Sequence, residues 1–283
     1  MEAHLDCYPC FARQALDAAR MATSDEELQL EVLQKVATLM GRLPPDATPV
    51  DMGFAIHRTV REVTGHPDPY REVKKEYNDR GLALLPRLRD VVRESPDRLL
   101  AAVKVAAVGN TIDFGADPGF DLDRSLEEGL SADLVSSDVD LFARRLGDVE
   151  SILYIGDNAG EIAFDKVLVE ELARAGLAVT FVVRGEPIIN DVTFEDALYV
   201  GMDDLAKVVS SGVGSPGTLL SRSSREFQKS FSRAELVLSK GQGNYEGLSG
   251  EDGSVFFLLK VKCPVVAGDL GAELGSLVFR AGG

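Results

Sequence analysis

Asp157 and Asn158 stand side by side in residues 151–172, SILYIGDNAGEIAFDKVLVEEL, where a short apolar run hands over to a helical pattern. A second acid, Asp191, lies in RGEPIINDVTFEDA, just past another apolar run that ends at Val183. If the two loops meet in space, two carboxylates and one amide carbonyl form an all-oxygen ligand set suited to Mg or Mn, with water filling the other positions. The competing reading is local: Asp and Asn after a strand form turns and cap helices. On the residues alone both readings stand. Glu161 falls in the first turn of the helix that follows, and Asp165 one turn further on. GDNAGE contains neither GxGxxG nor GK[ST], so it is not a dinucleotide fingerprint or a lysine-bearing phosphate loop.

Further along, LVLSKGQGNYEGLSG places Lys240 at the end of an apolar run, then Gly241, Gln242, Gly243, Asn244, Tyr245 and Glu246. Glycines interleaved with polar side chains suit a substrate-gripping loop, and suit a surface turn equally. VFFLLKVKC carries Lys260 and Lys262 in an apolar context. Burying such a lysine unpaired is costly, although at a strand end it reaches solvent. Asn110 and Asp113 in GNTIDFG follow a helical stretch, as a C-cap and an Asx turn would. Cys7 and Cys10 form a CxxC at a helix start, where the dipole lowers a thiol pKa. They suit a redox pair, two buried structural cysteines, or half of a zinc site completed by Cys263 with His4 or His57.

Two kinds of element have to position these residues. Up to about residue 148, segments such as CFARQALDAARMA, SDEELQLEVLQKVATLM and PVDMGFAIHRTVREVTG space apolar residues as helices do. Ser24 and Glu27 suggest a capping box, and Gly81 and Pro86 are expected to interrupt the long pattern after Pro69. From about Val149 the character changes. SILYI, LAVTFVV, ELVLS and VFFLLKV read as buried strands, separated by helical patterns at 160–175, 193–206 and 217–231. The expected fold is α/β: a mainly parallel, Rossmann-like sheet with helices on both faces (residues 149–283), preceded by an all-helical domain (1–148). In such a sheet, ligands bind beyond the carboxyl ends of the strands, where Asp157, Asp191 and Lys240 all fall.

The formal net charge of -16 over 283 residues repels nucleic acid and anionic membranes, and no basic cluster offsets it. No apolar run approaches the ~20 residues of a membrane span. The N-terminus lacks a secretory signal, so a cytoplasmic location is expected. An anionic substrate would need a locally positive pocket made by a metal ion, lysines or a helix N-terminus.

In series, IGDNAGEIAFDKVLVEEL, RGEPIINDVTFEDA, LSKGQGNYEGL and LLKVKCPVVA resemble the metal-dependent damage-control phosphatase family, once catalogued as domain of unknown function 89. CYPCFARQALDAAR and VGNTIDFGA resemble its prokaryotic branch, so the likeness spans nearly the whole chain. The resemblance implies a divalent metal (Mn, Mg, Co or Ni) on Asp157, Asn158 and Asp191. It further implies a substrate loop over Gln242, Gly243, Asn244, Tyr245 and Glu246, a phosphate-contacting Lys262, and an approach of the Asn110–Asp113 segment to the pocket. Some eukaryotic members carry Arg-Thr-x-Lys where this chain reads Leu259-Lys260-Val261-Lys262, so their substrate preferences do not transfer. The expected activity is hydrolysis of small phosphate monoesters, such as sugar phosphates or damaged phosphometabolites, by attack of water. Lys240, Gly241 and Glu161 are expected to help bind substrate. The protein is expected to act as a monomer or homodimer, and a non-catalytic phosphometabolite-binding or regulatory protein is the alternative.

Overall fold

The computed structural model describes residues 1–110, 127, 130–131, 134–135, 138–251 and 254–282. Helix α1 (Cys7–Ala22) buries Phe11, Ala15 and Ala18 against α2 (Glu26–Met40) and α3 (Pro49–Thr64), where Val32, Val36, Met52, Ile56 and Val60 complete a small core. Asp25, rather than the expected Ser24, caps α2, its carboxylate accepting from the Glu27 and Leu28 N–H groups. Thr48 and Asp51 form a capping box on α3. Helix α4 (Arg71–Glu94) runs unbroken through Gly81 and Pro86, against expectation. A Cβ at Gly81 would lie 2.6 Å from the Gly160 carbonyl, so this glycine lets α4 lie against the turn that carries Asn158. Helix α5 (Arg98–Gly109) is almost wholly apolar and buried. No helix among the described residues is long and apolar enough to cross a membrane.

After α6 (Val139–Leu146) come β1 (Ser151–Ile155), α7 (Glu161–Arg174), β2 (Ala178–Val183), α8 (Phe194–Tyr199) and β3 (Lys207–Ser210). Then follow α9 (Arg225–Arg233), β4 (Val237–Lys240), α10 (Gln242–Leu248), β5 (Val255–Lys260), α11 (Pro264–Leu270) and β6 (Leu277–Ala281). The sheet order is β3-β2-β1-β4-β5-β6, parallel except for β6. Alternation along each strand feeds both faces. Ile152, Tyr154, Phe256 and Leu258 join a core with α4, α5 and α7, whereas Leu153, Ile155, Phe257 and Leu259 join Phe227, Leu248 and Val266 on the other side. With both faces covered, a strand reads as a continuous apolar run.

The expected α/β class, with a mainly parallel sheet and helices on both faces, is therefore present, with two strands added. β3 lay outside the expected set because KVVS is a partly exposed edge strand with polar residues at both ends; β6, whose LVFRA is apolar and buried over Leu277, Val278 and Phe279, also lay outside it. The helical pattern expected over 193–206 shrinks to α8, and that over 217–231 to a 3₁₀ turn and α9. The chain moves outward from β1 to β3 and then returns to β4 beside β1. The crevice of an open α/β sheet opens at such a reversal.

Candidate active site

Strands β1 and β2 end nearly level, with Ile155 paired to Val182. Their following loops zip together. The Val192 N–H donates to the Asp157 carbonyl (2.8 Å) and the Ala159 N–H to the Asn190 carbonyl (2.8 Å), making an antiparallel bridge between Asn158 and Asp191. Asp157, Asn158 and Asp191 are thus brought together by backbone pairing alone.

Around them lies a buried polar frame. Asn158 Nδ2 (2.7 Å) and Asn110 Nδ2 (3.1 Å) both donate to Asp157 Oδ2. The same two amides reach Glu161 Oε2, at 3.4 and 2.9 Å. Asn110 Oδ1 accepts from the Lys260 N–H, tying the end of α5 to β5. Arg184, 2% exposed, donates from Nε to Asp191 Oδ2 (2.7 Å) and holds Nη2 3.8 Å from Asp157 Oδ1. That Nη2 is a buried donor with no hydrogen-bond partner among the described residues. Asn244 braces the floor, donating to the Gly156 and Lys240 carbonyls and accepting from Thr218 Oγ1.

Burial dominates the electrostatics here. Burial first, then the neighbouring Glu161 and Asp191 carboxylates, push the Asp157 pKa up to about 8, against the pull of Lys262 and Arg184. Burial raises Asp191 as well, despite its Arg184 partner. A divalent cation would relieve that repulsion, and the donors are of the hard oxygen type that Mg and Mn take. Among the described residues no three His, Cys, Asp or Glu side chains form a metal-binding group; the set facing the cleft is two carboxylates and one amide. The residues present fit a cation held by Asp157, Asn158 and Asp191.

Two cavities meet at this point. One, of about 740 Å³, has Asn110, Asn158, Glu161, Lys260 and Lys262 at its polar end and Met21, Tyr70, Tyr77 and Leu274 as an apolar wall. The other, of about 300 Å³, is lined by Asp157, Asp191, Gln242, Glu246 and the three cysteines. Lys262 is exposed and reaches both, its N–H donating to Gln242 Oε1. Gln242, Gly243 and Glu246 line the smaller cavity.

Other expectations are corrected. Lys240 is fully buried, its three donors spent on Glu161 (2.6 Å), Asp165 (2.6 Å) and the Ala106 carbonyl (3.0 Å), so it has none left for a substrate phosphate. Tyr245 packs on Phe257 and donates to Asp269, away from the cleft. Asn244 is buried bracing rather than cleft lining. Gly241 acts through its backbone: a Cβ there would lie 2.0 Å from Asp157 Oδ2. The Gly160 N–H, at the start of α7, donates to Asn78 Oδ1 and is not open to an anion. Asp113 lies outside the described residues. His4 pairs its ring with Asp6 and donates its backbone N–H to Cys7 Sγ (3.4 Å), and His57 lines a separate cavity; among the described residues no histidine completes a metal-binding group with the cysteines.

Sequence reasoning left Arg184 and Asn78 without a role. An arginine directly after an apolar strand is a usable signal, because a strand end there is buried. Asn78, in an exposed-looking helical pattern, carries none.

Residues 3–278 match the profile of the damage-control phosphatase ARMT1-like domain. A damage-control phosphatase of Pyrococcus horikoshii is 35% identical, covering 98% of this chain and 97% of that protein. A damage-control phosphatase of Archaeoglobus fulgidus is 34% identical, covering 97% of each. The crystal structure of a domain-of-unknown-function-89 family protein from Pyrococcus horikoshii superposes with a TM-score of 0.92 at 33% identity over the full length of both chains.

Proposed function

Because the chain belongs to the ARMT1-like damage-control phosphatase family, we propose that it is a divalent-metal-dependent phosphatase acting on small phosphate monoesters such as sugar phosphates or damaged phosphometabolites. The observation that carries the reading is the meeting of Asp157, Asn158 and Asp191 at the ends of β1 and β2, beside a cleft with Lys262 at its rim. A bound divalent cation supplies charge withdrawal from a phosphate oxygen and a lowered pKa for water.

The chain's own groups do the rest. Lys262 offers a mobile ammonium to the equatorial phosphate oxygens, where charge spreads as the P–O bond breaks. Asn110 holds Asp157 Oδ2 in place from the end of α5, and Arg184 holds Asp191. Asp157 Oδ2 takes two amide donors and Oδ1 faces Arg184. With Asp157 assigned to holding the cation, water is taken as the nucleophile: water adds its oxygen to phosphorus, the ester oxygen leaves with a proton, and the products are an alcohol and inorganic phosphate.

The test is release of phosphate from p-nitrophenyl phosphate with Mg, Mn, Co or Ni, against a chelator control. Metal-dependent turnover that disappears in Asp157→Ala and Asp191→Ala supports the enzyme. If ligands stabilise the protein but no phosphate ester is turned over under any metal, the chain is a binding protein and the proposal fails.

A further inference from the structure

Lys240 and Glu161 form an ion pair under the site that touches neither cleft wall nor solvent on the lysine side. Lys240 is 0% exposed and Glu161 2% exposed. All three Lys240 donors are engaged, two of them with the carboxylates of Glu161 and Asp165. Tyr154 donates its hydroxyl to the same Asp165 oxygen at 2.7 Å. So much buried charge is costly unless hydrogen bonds satisfy it, and removing one partner of such a pair is strongly destabilising. The other Glu161 oxygen accepts from the NH₂ groups of Asn110 (2.9 Å) and Asn158 (3.4 Å).

An asparagine amide has two unlike ends, a carbonyl that accepts and an NH₂ that donates, and a half-turn exchanges them. Asn158 Nδ2 is drawn inward by two carboxylate oxygens, Asp157 Oδ2 and Glu161 Oε2. The carbonyl end is thereby left for the cleft. We propose that the Lys240–Glu161 pair is a positioning device that fixes the amide of Asn158, with that of Asn110, so that the Asn158 carbonyl oxygen is presented as a cation ligand. Lys240 works at one remove: by holding Oε1 of Glu161 it fixes the rotamer that keeps Oε2 as an acceptor. The inference rests on the cation site proposed above and concerns how that site is held ready.

Partners of this outer kind commonly change metal affinity by about 10–100-fold when altered. The experiment measures Mn binding calorimetrically on the full chain without substrate, so the readout is independent of turnover, alongside the melting temperature. Two variants are compared with the parent. In Glu161→Gln, Lys240 captures the new carbonyl and turns the new NH₂ toward the two asparagine NH₂ groups, which forces Asn158 over. Lys240→Gln paired with Asp165→Asn removes one cation and one anion, so the cluster keeps its net charge while Glu161 loses its clamp. We expect the Mn Kd to rise at least about tenfold in both, with kcat/KM falling in step. If the double variant does not fold, Glu161→Gln alone decides. Mn binding within twofold of the parent, even with a lowered melting temperature, would reduce the pair to a structural brace and overturn the inference while leaving the proposed function intact. A parent that binds no divalent cation would instead overturn the cation site itself.

Discussion

Replacing Asp157 with Asn should stabilise the metal-free protein while destroying its response to metal. In the folded chain the Asp157 carboxyl titrates at about 8, against 3.8 for a free side chain, because it is buried beside Glu161 and Asp191. The folded state then holds more protons than the unfolded chain between about pH 4 and pH 8, so metal-free stability falls as the pH rises through that window. At about 1.4 kcal/mol per pKa unit, the charging penalty above pH 8 has a ceiling of about 6 kcal/mol. Glu161 and Asp191 share the repulsion, and the buried groups relax around the charge, so we expect the near-isosteric amide to recover about 2 kcal/mol. For a chain of this size that is about 3 °C in melting temperature. The parent at a hundredfold excess of Mn over its Kd gains about 2.7 kcal/mol, and Asp157→Asn should gain none. The assay is differential scanning calorimetry from about pH 5 to pH 9, with chelator and with Mn. A metal-free Asp157→Asn protein that melts below the parent at about pH 9 would mean that Arg184 makes the ionised Asp157 a net stabiliser, and the argument from burial and repulsion would be wrong.

Three further outcomes are expected. Gly241→Ala should cost more than about 2 kcal/mol and abolish metal-dependent stabilisation, since Gly241 has φ +82° and a Cβ would collide with Asp157; thermal melts with and without Mn check it. Lys262→Ala should lower kcat/KM by about 10–100-fold with the melting temperature nearly unchanged, because Lys262 is exposed and its role is electrostatic; equal losses of stability and activity would point elsewhere. His57 is buried and its pKa is lowered to about 4 by burial and by Arg61. The unfolded chain therefore binds the extra proton, and stability should drop as pH falls from about 6.5 toward 4, a drop that His57→Leu flattens in an acid melting series.

The apolar runs of β1, β2, β4 and β5 and the helical spacing of α1 to α3 were legible because they are local. A strand buried on both faces must be apolar at successive positions, and a helix packed on one face must repeat near every third or fourth residue. The Asp157-Asn158 pair and Asp191 were legible for the same reason, sitting where such runs end. Less local features misled. Asp25 caps α2 instead of Ser24 because one backbone position decides which oxygen reaches the N–H groups of Glu27 and Leu28. Gly81 does not break α4, because the helix gains a close packing site against Gly160. The edge strand β3 has polar residues at both ends because an edge is only partly covered.

By itself, then, the sequence determined the layered α/β class and the family, and marked the loops that carry oxygen donors. Only the tertiary structure decided what each charged or amide group does. It sent Lys240 inward to Glu161 and Asp165, turned Tyr245 toward Asp269, set Arg184 between Asp191 and Asp157, and brought Asn110 from the end of α5 onto the Asp157 carboxylate. Periodicity encodes burial because neighbours along the chain share it, whereas an ion pair or an amide's orientation depends on partners dozens of residues away, which no local pattern records.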